Sequence, residues 1–259
     1  MALQVLAFFA HPDDETMLCG GTLALLARQG ATVHVLIATR GEGGEMGDPP
    51  LTTRENLGMV RESELACAVK ALGADLSVMD YIDPVVGEGE ELFPFTDDVE
   101  RLAVQVVDAI QRFSIDAVIS HGVNGEYGHP AHKLVYRAVE RAAQVLGDQA
   151  PLFYTVQGMF ADHPYPRLAN EDTPAHLVLD ITPVLEQKVA AALCHETQHA
   201  LFVRFWSEAA GRLLAVPEVI MLLESLHRVQ PEVPAGEFPQ DALADLLRET
   251  GTVRPLGEA

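Results

Sequence analysis

Residues 3–15 read Leu-Gln-Val-Leu-Ala-Phe-Phe-Ala-His-Pro-Asp-Asp-Glu. The run from Leu3 to Ala10 is apolar and of strand length, as expected of a strand buried on both faces. It ends abruptly in an imidazole and three carboxylates within five residues, His11 to Glu15. The same alternation continues outward. Thr16 to Gly30 carries leucines at helical spacing and closes on glycine, a natural helix stop. Thr32 to Ala38 is a second β-branched run, and Arg54 to Leu72 repeats apolar positions at helical intervals up to Gly73. Strands are expected at Leu76–Ile82, Asp116–Ser120, Leu152–Gln157 and His176–Asp180. Helices are expected at Asp97–Phe113, Pro130–Leu146 and from Thr182 to about His199. Strands separated by helices imply a Rossmann-like α/β fold, a mostly parallel sheet flanked by helices.

From about Leu201 the strand signal disappears. Nine Asp/Glu and four Arg lie between Ser207 and Ala259, in a proline-punctuated pattern of helical type. No Ser/Gly-rich linker intervenes. The expected organisation is therefore a catalytic domain over residues 1–200 and a helical C-terminal extension, 201–259, packed on the same domain. The apolar stretch Val219–Leu223 suits either its own core or a homo-oligomer interface.

Composition narrows the function. In 259 residues, 17 Lys+Arg face 38 Asp+Glu, a formal net charge of −21. Such a chain repels phosphate backbones and anionic membranes unless it carries a basic patch, and none is visible. Neither nucleic acid nor a membrane is an expected partner. The N-terminal apolar run stops at residue 10, too short for a signal peptide or a span. Three cysteines, Cys19, Cys67 and Cys194, make no C-x-x-C, which suggests a reducing compartment and a cytoplasmic protein. The glycine-rich stretch Arg40–Gly47 opens no helix, and its Glu42 and Glu45 would repel a pyrophosphate, so a mobile active-site loop is expected instead.

In open parallel sheets ligands sit at the carboxyl ends of the strands. Two loops stand out there: His11–Glu15 after the first strand, and Asn124–His132 (NGEYGHPAH) after the fourth. Pro130 suits the first position of a helix, which sets His129 and His132 one turn apart on the same side. His11 and Asp14 are also three residues apart. Together the loops can offer two imidazoles and a carboxylate to a metal while leaving positions open, the donor set of a catalytic zinc site. Either loop alone could instead be an ordinary helix start, with Asp13 or Asp14 as its cap.

The stretch Ala10–Glu15 (AHPDDE) resembles the signature of the N-acetylglucosaminyl-phosphatidylinositol de-N-acetylase family, also called LmbE-like. Gly128–His132 (GHPAH) resembles that family's second motif. Weaker matches are Arg61 with Glu64 and Leu65, Asp83, and Lys188–Gln198. The order is kept over roughly residues 3–200. The resemblance implies a Rossmann-like, zinc-dependent deacetylase of amino sugars, precursors of low-molecular-weight thiols among its substrates. It implies His11, Asp14 and His132 as metal ligands and Asp13 as general base. His129, if protonated, would stabilise the oxyanion with Tyr127 as second donor, and Arg61 and Asp83 would grip sugar hydroxyls. Fe(II) could take the place of zinc. Ala131 departs from the aspartate usual at its position, which points to a missing hydrogen bond behind the metal ligands.

A second motif competes. His195-Glu196-Thr197-Gln198-His199 matches H-E-x-x-H, with Glu218 or Glu224 as distant third ligand, and on its own reads as a zinc metalloprotease. Three fixed letters arise easily in a chain with ten histidines, and zincins need no parallel sheet ahead of the motif. Two histidines and a carboxylate also make the facial triad of non-haem iron oxygenases, which the α/β pattern does not favour. A sugar-binding module without catalysis leaves Asp13 without a purpose. The expected protein is a metal-dependent N-deacetylase acting on a small amino-sugar substrate.

Overall fold

Val5, Ala7 and Phe9 pack on one side of a sheet and Leu6, Phe8 and Ala10 on the other, all of them fully buried. This strand, β1 (Gln4–Phe9), is the axis of the computed structural model, which describes residues 2–89 and 91–255. After it come α1 (Asp14–Arg28), β2 (Thr32–Thr39), α2 (Leu57–Leu72), β3 (Asp75–Tyr81), α3 (Val99–Phe113), β4 (Ala117–Ser120), α4 (Pro130–Leu146) and β5 (Leu152–Val156). The second half contains β6 (Gly158–Met159), β7 (Asn170–Pro174), β8 (Leu177–Asp180), α5 (Leu185–Cys194), α6 (His199–Ala210), α7 (Val216–Val219), β9 (Leu223–Gln230), α8 (Ala242–Glu249) and β10 (Val253–Arg254).

Eight strands form one mixed sheet in the order β10-β8-β9-β5-β4-β1-β2-β3. From β5 to β3 all neighbours are parallel; β9 is antiparallel to both β5 and β8, and β10 to β8. The sheet is mostly parallel within its first half, as expected. Helices α1, α2, α5 and α8 cover one face and α3 and α4 the other. Strand order reverses at β1, whose two neighbours are β2 and β4. The crevice that such a reversal opens lies at the carboxyl ends of β1 and β4, where the two motif loops emerge.

The C-terminal region corrects an expectation. Residues 201–259 are not a helical extension: β9 lies inside the sheet, between β5 and β8, and β10 extends its edge (256–259 fall outside the described residues). The first 200 residues therefore do not close the sheet alone. Strand β9 escapes pattern reading because its sequence, LESLHRVQ, carries buried charge. Glu224 accepts hydrogen bonds from the Lys188 ammonium at 2.7 Å and from the Gly21 and Thr22 amides at 2.8 and 2.6 Å. Arg228 pairs with Asp241 beneath Tyr154. Buried ions are tolerated only when paired in this way, and hydrophobic periodicity does not register them.

Two further expectations change. Cys67 on α2 and Cys194 on α5 are joined in a disulfide across 127 residues, which removes the cysteine argument for a reducing compartment. The helix expected from Thr182 to His199 stops at Cys194; a 3-10 turn, Glu196–Gln198, separates it from α6. Among the described residues, no helix is long and apolar enough to cross a membrane.

Candidate active site

The loop after β1 is held in an unusual conformation. Asp13 has φ = 104°, the left-handed region that aspartate enters at some cost. Its carbonyl accepts the amides of Thr16 and Met17 and so opens α1, but neither Asp13 nor Asp14 caps that helix through its side chain. The carboxylates are freed for other work. Asp14 Oδ2 accepts the His11 amide at 2.8 Å, which folds the loop back over its own start.

Around Asp14 three imidazoles converge. His11 Nδ1 lies 3.4 Å from Oδ2, His121 Nε2 3.4 Å from the same oxygen, and His132 Nε2 3.3 Å from Oδ1. His121 is the residue directly after β4, and His132 sits in the first turn of α4. That helix starts where Pro130 takes its first position and where His129 Nδ1 accepts the Ala131 amide at 3.2 Å. His132 stacks between two other imidazoles, centroid distances being 3.9 Å to His121 and 4.6 Å to His129.

Hydrogen bonds fix the tautomers. Glu126 Oε2 accepts from His132 Nδ1 at 2.7 Å and from His121 Nδ1 at 2.9 Å. Its other oxygen accepts the Gly122 amide at 2.9 Å and Asn170 Nδ2 at 3.2 Å. His132 Nε2 is fully buried and has no hydrogen-bond partner; with Nδ1 donating to Glu126, the neutral ring would present its lone pair there. His121 Nε2 is instead occupied by the Ala10 amide at 3.1 Å. His11 offers Nε2 to Asp83 Oδ1 at 3.2 Å, leaving Nδ1 facing Asp14.

A cation fits here. Donor atoms of His11, Asp14 and His132 all lie within 4.8 Å of one another, all three residues are buried, and one donor is orphaned without an ion. Both imidazoles are backed by a carboxylate, Asp83 behind His11 and Glu126 behind His132, the arrangement that orients histidine ligands. Burial would raise the Asp14 carboxyl, but His132 and His121 hold it well below the usual range. Burial would raise Asp83 too, and His11 holds it down.

Asp13 differs from its neighbour. Burial pushes its carboxyl up to about 6, against the pull of the Arg61 guanidinium, which donates to Asp13 Oδ2 at 2.9 Å. Arg61 also donates to the carbonyls of Pro12 and Gly41, and is only 3% exposed. A Cβ on Gly41 would meet that guanidinium at 2.2 Å, so only glycine lets the loop pass over it. The structure thus places Arg61 behind Asp13 and Asp83 behind His11. Both were expected to grip sugar hydroxyls; in the structure Arg61 is bonded to Asp13 and Asp83 faces His11.

His129 is also redefined. Burial and the neighbouring His132 and His11 rings lower it to about 3, so the ring is neutral rather than protonated. Because Nδ1 accepts an amide, the proton of the neutral ring is on Nε2. Tyr127 stands at the rim, 56% exposed, its ring edge-on to His129 and His132. Ala131 is fully buried in the apolar layer, and the hydrogen bond behind His132 that its presence seemed to remove is supplied by Glu126. Glu126 and His121 were not singled out from the sequence. Glu126 has φ = 54° and reaches His132 only through the fold of its loop, so spacing held no signal for it; His121 had one, its place at a strand's carboxyl end.

The H-E-x-x-H reading does not survive. His195 ends one helix and His199 starts another, so they share no helical face. His195 Nε2 contacts Glu15 Oε1 at 3.1 Å, and Glu15 Oε2 accepts the Asp13 amide at 3.0 Å. His199 faces the Leu193 carbonyl, Glu224 is bound to Lys188, and Glu218 to Arg212. The loop over residues 40–47 is pinned rather than free: Arg54 donates to the carbonyls of Glu42 and Gly44, Gln198 to that of Glu45, and Arg204 to the Glu45 carboxylate.

Comparisons with known proteins agree with this fold. A 1D-myo-inositol 2-acetamido-2-deoxy-alpha-D-glucopyranoside deacetylase of Mycobacterium sp. (strain KMS) is 30% identical over 83% of this chain and 80% of its own length. Two solved structures share the fold. The 4-carboxy-2-hydroxymuconate hydratase GalB of Pseudomonas putida KT2440 has a TM-score of 0.60 at 24% identity, over 90% of this chain and 98% of its own. The N,N'-diacetylchitobiose deacetylase of Pyrococcus horikoshii has a TM-score of 0.59 at 17% identity, over 88% of this chain and 84% of its own. A hydratase and a deacetylase on one fold show that the fold does not choose the reaction. The family model described as PIG-L, GlcNAc-PI de-N-acetylase, matches residues 6–143, both motif loops included, and the chain belongs to that family.

Proposed function

We propose that the protein is a metal-dependent amide hydrolase that removes the acetyl group from the nitrogen of an N-acetylglucosaminide. One observation carries the reading: the orphaned Nε2 of His132 faces Asp14 opposite His11, with a second carboxylate, Asp13, raised to about 6 beside them. The family supports it, as does the curated relative's name, which describes a deacetylase of an acetamido sugar linked to inositol.

His11, Asp14 and His132 would hold the ion, and two imidazoles with one carboxylate suit zinc, with Fe(II) as the alternative. Such an ion, when bound, polarises a carbonyl and lowers the pKa of water towards about 7. The remaining work belongs to the chain. A carboxylate raised towards neutrality is a matched general base, and Asp13 takes the proton of the attacking water. Arg61 and the Glu15 side chain hold Asp13 from two sides, so its carboxylate meets water in one orientation. Once protonated, Asp13 delivers that proton to the leaving amine. The Nε2–H of neutral His129 donates to the oxyanion of the tetrahedral intermediate, and the Tyr127 hydroxyl at the rim is a second donor.

The test is release of acetate by metal-loaded protein from N-acetylglucosaminyl-inositol, N-acetylglucosaminyl-malate and diacetylchitobiose. Acetate should appear from at least one and disappear on chelation. No acetate from any of the three overturns the reading. Glu196→Gln should leave the activity in place, whereas a protease would lose everything.

A further inference from the structure

Asp13 and Asp14 also border a cavity of about 350 Å³ that runs away from the imidazoles towards the C-terminal half. Its walls are Tyr127, Tyr165, Phe202, Phe205, Trp206 and Met221. Three of the rings form a cluster: Tyr165 lies 4.8 Å from Phe205 and 5.2 Å from Trp206, and Phe205 and Trp206 are 5.3 Å apart. Phe205 is 37% exposed, and Tyr165 and Trp206 are half-buried, so the cluster offers ring surface to an occupant.

Most of the charged groups around the cavity are already engaged. Asp13 holds Arg61, Lys188 holds Glu224, and Arg204 forms a two-pronged pair with Glu45. Among the charged side chains bordering the cavity, Glu208 alone has no such bond among the described residues. Apart from Glu208, the wall offers the hydroxyls of Tyr127 and Tyr165 and the Trp206 indole N–H, fewer partners than the hydroxyls of a polyol such as inositol require, and each buried hydroxyl left unpaired costs about 1–3 kcal/mol. A flat apolar ring gains instead, from burial and from stacking on aromatic side chains.

On the deacetylase reading, we infer that this cavity receives the aglycone of the substrate, and that the aglycone is an apolar, ring-bearing group rather than a polyol. Continuity fixes the occupant: the cavity opens on the two aspartates where the acetamide reacts, so whatever the sugar carries enters it. The relatives' inositol is thus not this chain's preferred partner group.

Trp206 is the single tryptophan of the chain, which makes its emission a direct probe of the cavity. Metal-loaded Asp13→Asn protein, unable to turn substrate over, is titrated with phenyl N-acetylglucosaminide and with N-acetylglucosaminyl-inositol. The phenyl glycoside should change Trp206 emission and bind at least about tenfold more tightly. Tyr165→Ser and Phe205→Ser, introduced together on that background, should erase this preference and leave inositol glycoside binding within about twofold. Equal or tighter binding of the inositol glycoside overturns the inference. So does a gain of similar size when the inositol glycoside carries a hexanoyl in place of the acetyl group, since the cavity would then serve the acyl chain. Acetate release by the unmodified enzyme from the two acetylated glycosides separates the layers. Acetate from neither removes the deacetylase reading itself, whereas acetate with the inositol glycoside preferred removes only the aglycone assignment.

Discussion

The parallel and antiparallel halves of the sheet solve different problems with the same kinds of residue. In the parallel half, the carboxylates and imidazoles at the ends of β1 and β4 are oriented around an orphaned nitrogen, with Asp13 strained and raised to about 6. In the antiparallel half, Glu224 and Arg228 on β9 are buried too, but each is fully paired and touches no reacting group. One set is left incomplete so that something can bind; the other is completed so that the sheet can close. Burial of charge alone does not mark an active site. Several donor atoms converging on an unpartnered nitrogen do.

The largest expected effect is at Asp13. Asp13→Asn keeps the size and an acceptor for the Arg61 guanidinium but cannot take a proton, and loss of a general base typically costs 10²–10⁴-fold. The rate constant for acetate release should fall by about 10³-fold, with the urea midpoint hardly moved. A drop below tenfold would assign the base elsewhere and dissolve the distinction between the halves.

Glu224→Gln tests the other half. The amide nitrogen introduced on β9 would face either the Thr22 and Gly21 donors or the buried Lys188 ammonium. Removing one partner of such a pair costs about 3–5 kcal/mol. Urea unfolding should show a loss in that range, with kcat per folded molecule unchanged. A neutral variant would mean that the pair is dispensable to closure of the sheet.

Glu126→Gln probes the boundary between these behaviours, because Glu126 is fully hydrogen-bonded and also stands behind His132, a candidate ligand. Groups behind histidine ligands are typically worth 10–100-fold in metal affinity. Equilibrium dialysis against zinc should show a loss of about that size. A wild-type affinity in this variant would reduce Glu126 to a structural group.

How much of this was legible in the sequence follows the same division. The parallel half was legible because its strands are apolar on both faces and its candidate ligands stand in two short motifs: His11 three residues before Asp14, and His132 in the first turn of a helix that opens at Pro130. The partners behind those ligands were not, since Glu126 and Asp83 reach them through loop geometry that no spacing encodes. The resemblance implies a substrate contact for Arg61, and no spacing encodes its burial against Asp13 beneath the Gly41 loop. Strand β9 was missed because paired ions replace the apolar alternation, and the H-E-x-x-H letters misled because the helix breaks at His195.

The smallest expected effect separates the halves by pH. His176 lies on the antiparallel side, its Nδ1 accepting the Arg228 amide at 2.9 Å and its ring stacked on His227 at 4.6 Å. Burial, and then the neighbouring His227, lower it to about 4. The unfolded chain, with an ordinary histidine near 6.5, binds this proton more readily than the folded one across that interval. Stability therefore falls as pH drops from about 6.5 towards 4, and is unaffected by this group above that window. His176→Asn retains an acceptor for the Arg228 amide but has nothing to titrate. The loss of stability between pH 7 and pH 5, read from urea midpoints of metal-loaded protein, should be smaller in the variant than in the wild type. An unchanged loss would move the acid sensitivity to the histidines of the parallel half, whose ring nitrogens would then be what acid attacks first.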